Sequence, residues 1–434
     1  MNAIKIVSAV AFFITASALT PFVTTTQPQE EEPGPDDFVA DELLVKFKPD
    51  VLEERKQQIH KRHGSREKDY LYEIGVYVLT LPRGKSPKGA AREYNLEEDV
   101  EFAEPNGFLH PAFVPNDPEF IRAQWNLTRI GVNSAWDVTK GSPSVKIAIV
   151  DTGVGWLDHP DLKSKIVGGC DWTTVNPNIP CVAPIDYGPT DQYYHGHGAH
   201  VAGTASAATN NGTGIAGVGF NSSLLIEKVC YWQTGYGSLW NYFYGIRYPY
   251  DCPYDYVAKG INGAVSHGAN VINISLSGNF DSQTVRSAVY NAWNKGAVLT
   301  CPAGNEGINI DFAKRYPASY DVCIAVAATN QWDYLAKFSY GGSNWGWQVD
   351  VSAPGVQIFS TVDYSYKYYD GTSFAAPHVA GIAALVRAKC PFASNTIIRR
   401  NVERGVVDLG NPGRDEIFGW GRVDAAKAVA QPCT

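Results

Sequence analysis

Gly371-Thr-Ser-Phe-Ala-Ala-Pro-His-Val-Ala-Gly381 is the stretch on which the reading of this 434-residue chain turns. Small residues open it, and an apolar run through Val379, Ile382, Ala383, Leu385 and Val386 continues it as a helix. Such a helix presents Ser373 at its N-terminus, beside backbone N–H groups that lack a helical partner and can hold an oxyanion. Ser373 is therefore a candidate nucleophile. It is equally an ordinary helix cap, the position that Ser and Thr favour, and residues elsewhere must decide.

Composition narrows the field first. With 44% hydrophobic and 18% charged residues the chain is globular and long enough for two folding units. A net charge of −8 and the lack of any basic block argue against nucleic acid as a partner. Lys5, the apolar run from Ile6 to Ala16 and the small residues Ala16-Ser17-Ala18 fit an export signal over residues 1–18. No stretch reaches the roughly 20 apolar residues of a spanning helix, so a secreted protein without a membrane partner is expected. Residues 19–37, rich in Pro, Thr, Glu and Asp, read as a flexible linker.

All eight cysteines lie beyond residue 169, and export favours disulfides over free thiols. Their grouping suggests four sequential loops, Cys170 to Cys181, Cys230 to Cys252, Cys301 to Cys323 and Cys390 to Cys433. The cysteine-free part reads as a small α+β unit, with strands at 43–48, 75–81 and 100–103 and helices at 53–62 and 88–96. The change in Cys and Gly usage after it sets a boundary within 110–116.

Past the boundary, short apolar strands at 145–150, 224–229, 271–276, 298–301 and 323–327 alternate with helices near 197–208, 257–267 and 282–295. That rhythm predicts an α/β fold of three layers, a mainly parallel sheet covered on both faces. Chemistry then gathers at the carboxyl ends of the strands, where Asp151 and Asn305 fall. The Tyr- and Trp-rich residues 231–256 read as a stapled surface insertion, contacting substrate or packing on itself.

Asp151-Thr-Gly is also the mark of aspartic proteases, but that chemistry needs two such carboxylates and no second copy occurs. His195, His197 and His200 are close enough to ligate a metal, the basis of a metal-dependent hydrolase as an alternative; no His-Glu-x-x-His accompanies them. Gly212-Thr-Gly-Ile-Ala-Gly217 matches a dinucleotide fingerprint in the wrong setting, after a helix. Taken together, Asp151, His197 and Ser373 each acquire a role as orienting carboxylate, general base and nucleophile.

These three contexts, Val150-Asp-Thr-Gly153, Gly196-His-Gly-Ala-His-Val-Ala-Gly203 and Gly371-Thr-Ser-Phe-Ala-Ala-Pro-His378, come in the chain order Asp, His, Ser. In that order and wording the sequence resembles the subtilisin-like serine proteases, most closely their thermitase-like and proteinase-K-like members, from Leu43 to about Ala430. The resemblance implies a secreted endopeptidase acting through an acyl-enzyme on protein or peptide substrates, as a monomer. A non-catalytic relative that only binds peptides would require a substituted triad, and all three residues are present.

The resemblance further implies that Asn305, in Pro302-Ala-Gly-Asn-Glu-Gly307, donates to the oxyanion. It implies that Ser275, Leu276, Ser277 and Gly278 pair with an extended substrate and that Arg315 reaches the base of the first specificity pocket, unless it pairs with Glu306. Ser277 stands where the family usually has Gly. Residues 38–112 resemble an inhibitory propeptide whose tail lies in the cleft, leaving 113–434 as the catalytic domain, with Asn116-Asp-Pro118 and Gln124-Trp125 near the mature start. A structural Ca2+ is implied at Asp117, Asp161 and Asn211 with the carbonyls of Ala208, Thr213 and Ile215, a hard-oxygen set; one extra residue precedes His159-Pro160-Asp161. Phe374 replaces the oxidisable Met of many relatives, and Met1 is the chain's single Met, so peroxide inactivation by that route is not expected. Sequons stand at Asn126, Asn221 and Asn273.

Overall fold

The computed structural model describes residues 38–108, 113–155, 157–173, 196–232 and 250–434. The expected signal peptide and linker, Cys181, His195 and most of the aromatic insertion lie outside these residues. The chain divides into two compact units, 1–111 and 112–434.

In the first unit four antiparallel strands, β1 (Phe38–Phe47), β2 (Arg66–Leu71), β3 (Val76–Thr80) and β4 (Val100–Gly107), stand in the order β2-β3-β1-β4. Two helices, α1 (Glu53–Arg62) and α2 (Pro87–Tyr94), connect them. Leu43, Val45, Tyr77, Leu79, Ile59 and Tyr94 form its core. Strand β2 has no counterpart in the sequence reading, for a physical reason. It is an edge strand pairing only with β3, its side chains are almost all exposed, and Arg-Glu-Lys-Asp carries no apolar alternation.

His60 sits in that core at 2% exposure. Its Nδ1 meets the Tyr94 hydroxyl at 3.1 Å, its Nε2 is buried without a partner among the described residues, and Phe47 and Tyr77 pack on the ring. Burial lowers its pKa from 6.5 to about 4, with Glu53 opposing and His63 and Lys56 adding to the fall. The folded unit thus holds His60 neutral while the unfolded chain takes up a proton near pH 6.5. The associated stability is complete above that pH and is lost as pH falls toward 4, a loss of roughly 2 kcal/mol after allowing for solvent screening. Denaturant melts of the full-length protein should show this acid sensitivity in the first unit, and His60→Phe should abolish it; an unchanged pH profile in that variant would refute the assignment.

The second unit is built on nine strands, β5 (Lys146–Asp151), β6 (Ile166–Asp171), β7 (Ser223–Lys228), β8 (Val271–Ile274), β9 (Val298–Pro302), β10 (Cys323–Thr329), β11 (Val351–Pro354), β12 (Val406–Val407) and β13 (Arg422–Val423). They stand in the order β12-β13-β11-β10-β9-β8-β5-β7-β6. Every pairing is parallel except β12 with β13 at one edge. Alternate residues serve opposite faces. Ile147, Ile149, Val271, Val298 and Val326 join a core shared with α3 (His197–Ser206) and α6 (Thr372–Lys389). Ala148, Val150, Ile272, Ile274 and Leu299 join the other, against α4 (Tyr254–Ser266) and α5 (Gln283–Asn294). This is the expected three-layer α/β arrangement. Strand β6 escaped the sequence reading because Gly168-Gly169 interrupts its apolar run, and a Cβ at Gly169 would lie 1.9 Å from the Ile226 carbonyl oxygen.

Disulfides Cys230–Cys252 and Cys390–Cys433 form as anticipated, and Cys170 is also bonded. The expected Cys301–Cys323 bridge does not. Both thiols are free and buried. In the β9–β10 register Leu299 faces Cys323 and Cys301 faces Ala325. The two cysteines are therefore diagonal neighbours on one face of the sheet, and their thiols share a hydrogen bond in place of a bridge. The sequon at Asn126 is buried against His378, and Asn273 is buried within β8; Asn221 is exposed.

Candidate active site

Asp151 ends β5 and is fully buried. Its Oδ1 accepts from the Thr152 N–H at 2.7 Å and from His197 Nδ1 at 2.7 Å. With Nδ1 donating, Nε2 is the basic nitrogen of His197. His197 opens α3, and two features of the sequence bring that helix close. Thr152 Oγ1 accepts from the Gly198 N–H at 3.0 Å, capping the helix from the Asp-Thr-Gly loop. A Cβ at Gly198 would lie 2.3 Å from the Gly153 carbonyl oxygen, so no other residue permits this approach.

Ser373 stands in the first turn of α6, where its N–H has no carbonyl within the helix to bond. Its hydroxyl donates to the Ser275 carbonyl at 3.3 Å. Asn305 follows β9, and its Oδ1 accepts from the Thr372 N–H at 2.9 Å and the Thr372 hydroxyl at 2.7 Å. That fixes the amide with Nδ2 as its donor end. Thr152 and Thr372 are the two supporting residues that the sequence reading passed over; each is a motif neighbour whose hydroxyl finds a partner only in three dimensions.

His197, Ser373 and Asn305 line one cleft of about 540 Å³ together with Ser275, Leu276, Ser277 and Gly278. Gly278 exchanges two backbone hydrogen bonds with Tyr316, of 2.9 and 2.8 Å, which closes one end of this wall. Tyr254 and Phe280 stack at 6.0 Å on the rim. Arg315 does not line the cleft, which corrects its expected place at the pocket base. Its guanidinium is turned back to the carbonyls of Ala313 and Lys314 and to Glu306 at 3.3 Å, and these acceptors hold it out of the pocket.

Of the three histidines, His195 lies outside the described residues, and His197 and His200 do not converge. His200 is buried, and its Nε2 donates to the Ile358 carbonyl at 2.9 Å. Burial lowers its pKa to about 3. Phe374 packs between the rings of His197 and His200. Among the described residues no group of three or more His, Cys, Asp or Glu comes together as a metal site.

Asp117 and Asp161, 4% and 0% exposed, converge on the loop after α3. Asp117 accepts from the N–H groups of Asn210 and Asn211; Asp161 accepts from Asn211 Nδ2, the Ile215 N–H and the Tyr366 hydroxyl. Thr213 N–H bonds Asn211 Oδ1, and Ala208 N–H bonds the Asp161 carbonyl. Burial pushes both carboxyls up from the usual range, with the Asp161 charge adding at Asp117. These hydrogen-bond donors are all neutral, so this buried pair of carboxylates suits a hard cation.

A nucleophile candidate and an imidazole held by a buried carboxylate, at two helix starts, together with an amide donor just past a parallel strand, have the arrangement of the serine hydrolases. The chain matches the subtilase family over residues 142–421 and belongs to that family. Residues 24–106 match the fervidolysin N-terminal prodomain. The chain is 37% identical over 393 residues to a thermophilic serine proteinase from Bacillus sp. (strain AK1), covering 90% of this chain and 88% of that one. It is 41% identical over 318 residues to thermitase from Thermoactinomyces vulgaris, covering 73% and 99%. Among solved structures it is similar to fervidolysin from Fervidobacterium pennivorans, described as a keratinolytic enzyme related to subtilisin, with a TM-score of 0.58 at 27% identity over 93% of this chain and 63% of that one. The protein is accordingly a serine peptidase, hydrolysing peptide bonds and carrying an N-terminal prodomain.

Proposed function

We propose that Ser373 attacks the scissile carbonyl, His197 Nε2 takes its proton and returns it to the leaving amine, and Asp151 holds the imidazole and stabilises its charged form. The observation that carries this reading is the 2.7 Å contact of His197 Nδ1 with a fully buried Asp151, on a histidine that shares its cleft with Ser373. Attack requires the Ser373 hydroxyl to rotate from the Ser275 carbonyl toward Nε2. The Ser373 N–H and Asn305 Nδ2 would receive the oxyanion, and the backbone of Ser275 to Gly278 would align the peptide. Labelling with a serine-directed phosphonate, followed by mapping of the modified peptide, tests the assignment: modification at Ser373 together with loss of casein hydrolysis supports it, and full activity after complete labelling elsewhere sinks it.

Replacing Asn305 by Leu removes one oxyanion donor, and kcat is expected to fall by about 10²- to 10³-fold with KM little changed. A loss confined to KM would assign Asn305 to ground-state binding instead.

Residues 38–112 act in this reading as an inhibitory propeptide removed by cleavage within 110–116, after export of the chain to the extracellular medium. Asp117, Asp161 and Asn211 would hold a structural Ca2+ with carbonyls of Ala208, Thr213 and Ile215. Such an ion offsets the buried negative charge and contributes nothing to the chemical step. Chelation should therefore lower the melting temperature, with activity decaying only as the protein unfolds, and added Ca2+ should restore it. Instant, temperature-independent loss on chelation would contradict the assignment.

A further inference from the structure

Helix α6 contains a proline at position 377. In an α-helix the Ser373 carbonyl would accept from the N–H four residues on, and Pro377 has none. The carbonyl of the very residue that carries the nucleophile thus loses its helical donor. Ser275 Oγ supplies one from outside the helix, donating to that carbonyl at 2.8 Å.

This contact is the end of a buried chain. Ser275 Oγ accepts from Asn273 Nδ2 at 2.8 Å, and Asn273 Oδ1 accepts from the Thr300 hydroxyl at 2.9 Å. A carbonyl oxygen can only accept, so the last bond fixes the polarity of every bond before it. Asn273 and Thr300 are directly opposite one another in the β8–β9 register, both 0% exposed, on strand positions that alternate with the residues facing α4 and α5. Their neighbours on that face, Val271 and Val298, are apolar core. Two polar side chains there are costly unless fully bonded, and their bonds lead to the nucleophile.

Resting on the reading of Ser373 as nucleophile, we propose that Asn273 and Thr300 are positioning residues for catalysis: they hold the Ser275 hydroxyl on the Ser373 carbonyl and so fix the first turn of α6 in place of the hydrogen bond that Pro377 cannot make. Neither residue touches substrate. Their action is on the placement of Ser373 Oγ and N–H relative to His197, where a shift of about 1 Å costs up to about a hundredfold in rate.

The test uses the matured protein and its Thr300→Val, Thr300→Ser and Asn273→Leu variants, processed in trans by a trace of wild type where needed. Each is followed by hydrolysis of a chromogenic peptide anilide, by the second-order rate of phosphonate labelling, and by thermal melting. Thr300→Val and Asn273→Leu should lose about ten- to a hundredfold in both kcat and labelling rate, with KM within about twofold of wild type. Thr300→Ser, which keeps the hydroxyl, should restore the rate. The decisive arm repeats the series in a Pro377→Ala background, where a backbone N–H can hold the Ser373 carbonyl; the losses should shrink to less than about threefold there. Labelling at the wild-type rate in Thr300→Val, or equal losses in both backgrounds, overturns the proposal. Should Asn273→Leu fail to fold, the near-isosteric Val and the Ser at position 300 still decide the question. A wild-type protein that takes no label overturns the triad reading itself, an outcome distinct from failure of the relay.

Discussion

Ser373→Ala is expected to yield a chain that stays at full length and hydrolyses casein about a millionfold more slowly than wild type, the order of loss that follows removal of the nucleophile from an Asp–His–Ser triad. The argument rests on one atom. Without Oγ no acyl-enzyme forms, and His197 has no alcohol to deprotonate, however well Asp151 holds it. Self-processing near residues 110–116 should stop for the same reason, so that N-terminal sequencing and activity fail together. The hydroxyl makes one weak contact, 3.3 Å to the Ser275 carbonyl, so the variant should fold and melt close to wild type. Denaturing electrophoresis, N-terminal sequencing and a casein assay on the two proteins check all of this. A variant that still matures and cleaves casein would remove Ser373 from the mechanism.

Asp151→Asn carries the second largest expected effect, about 10⁴-fold in kcat at neutral pH. The carboxylate now accepts from both the Thr152 N–H and His197 Nδ1 on a single oxygen. An amide retains the shape of the site, yet its Nδ2 can donate to Nδ1 and so favours the tautomer with the proton on Nε2, where the base is needed. It also removes the negative charge that stabilises the imidazolium. Burial of Asp151 strengthens both effects, because no water is at hand to replace either one. KM for a peptide anilide should stay within a few fold, since Asp151 does not line the cleft. A drop of less than about tenfold, measured alongside an intact melting transition, would show that the carboxylate is not the orienting group.

Much of this molecule is legible in its residues. The buried parallel strands are continuous apolar runs because both faces of the sheet are covered, and each ends at a Gly or polar turn that marks where side chains emerge. Asp151 ends one such strand and Asn305 lies just beyond another. Local chemistry also announces α6, whose small residues permit close packing, and the two disulfides that close short sequential loops. Elements without such a local pattern were not legible. The polar edge strand β2 and the glycine-broken β6 take their shape from the neighbours they pair with.

The layered α/β fold, the chain order Asp151, His197, Ser373 and the place of Asp151 at a strand end are all legible in the residues, because periodicity and motif spacing are properties of neighbouring positions. Register and packing between distant positions belong to the tertiary structure alone. Only there do Cys301 and Cys323 prove diagonal and unbridged, Arg315 prove held by Glu306 and two carbonyls outside the cleft, and the His200 Nε2 prove bonded to the Ile358 carbonyl. There too Thr300, Asn273 and Ser275 come to answer a missing donor at Pro377, residues far apart in the chain that meet because β8, β9 and the first turn of α6 converge. A hydrogen bond depends on angstroms and direction, and those are set only once the sheet register and the helix packing above it are fixed.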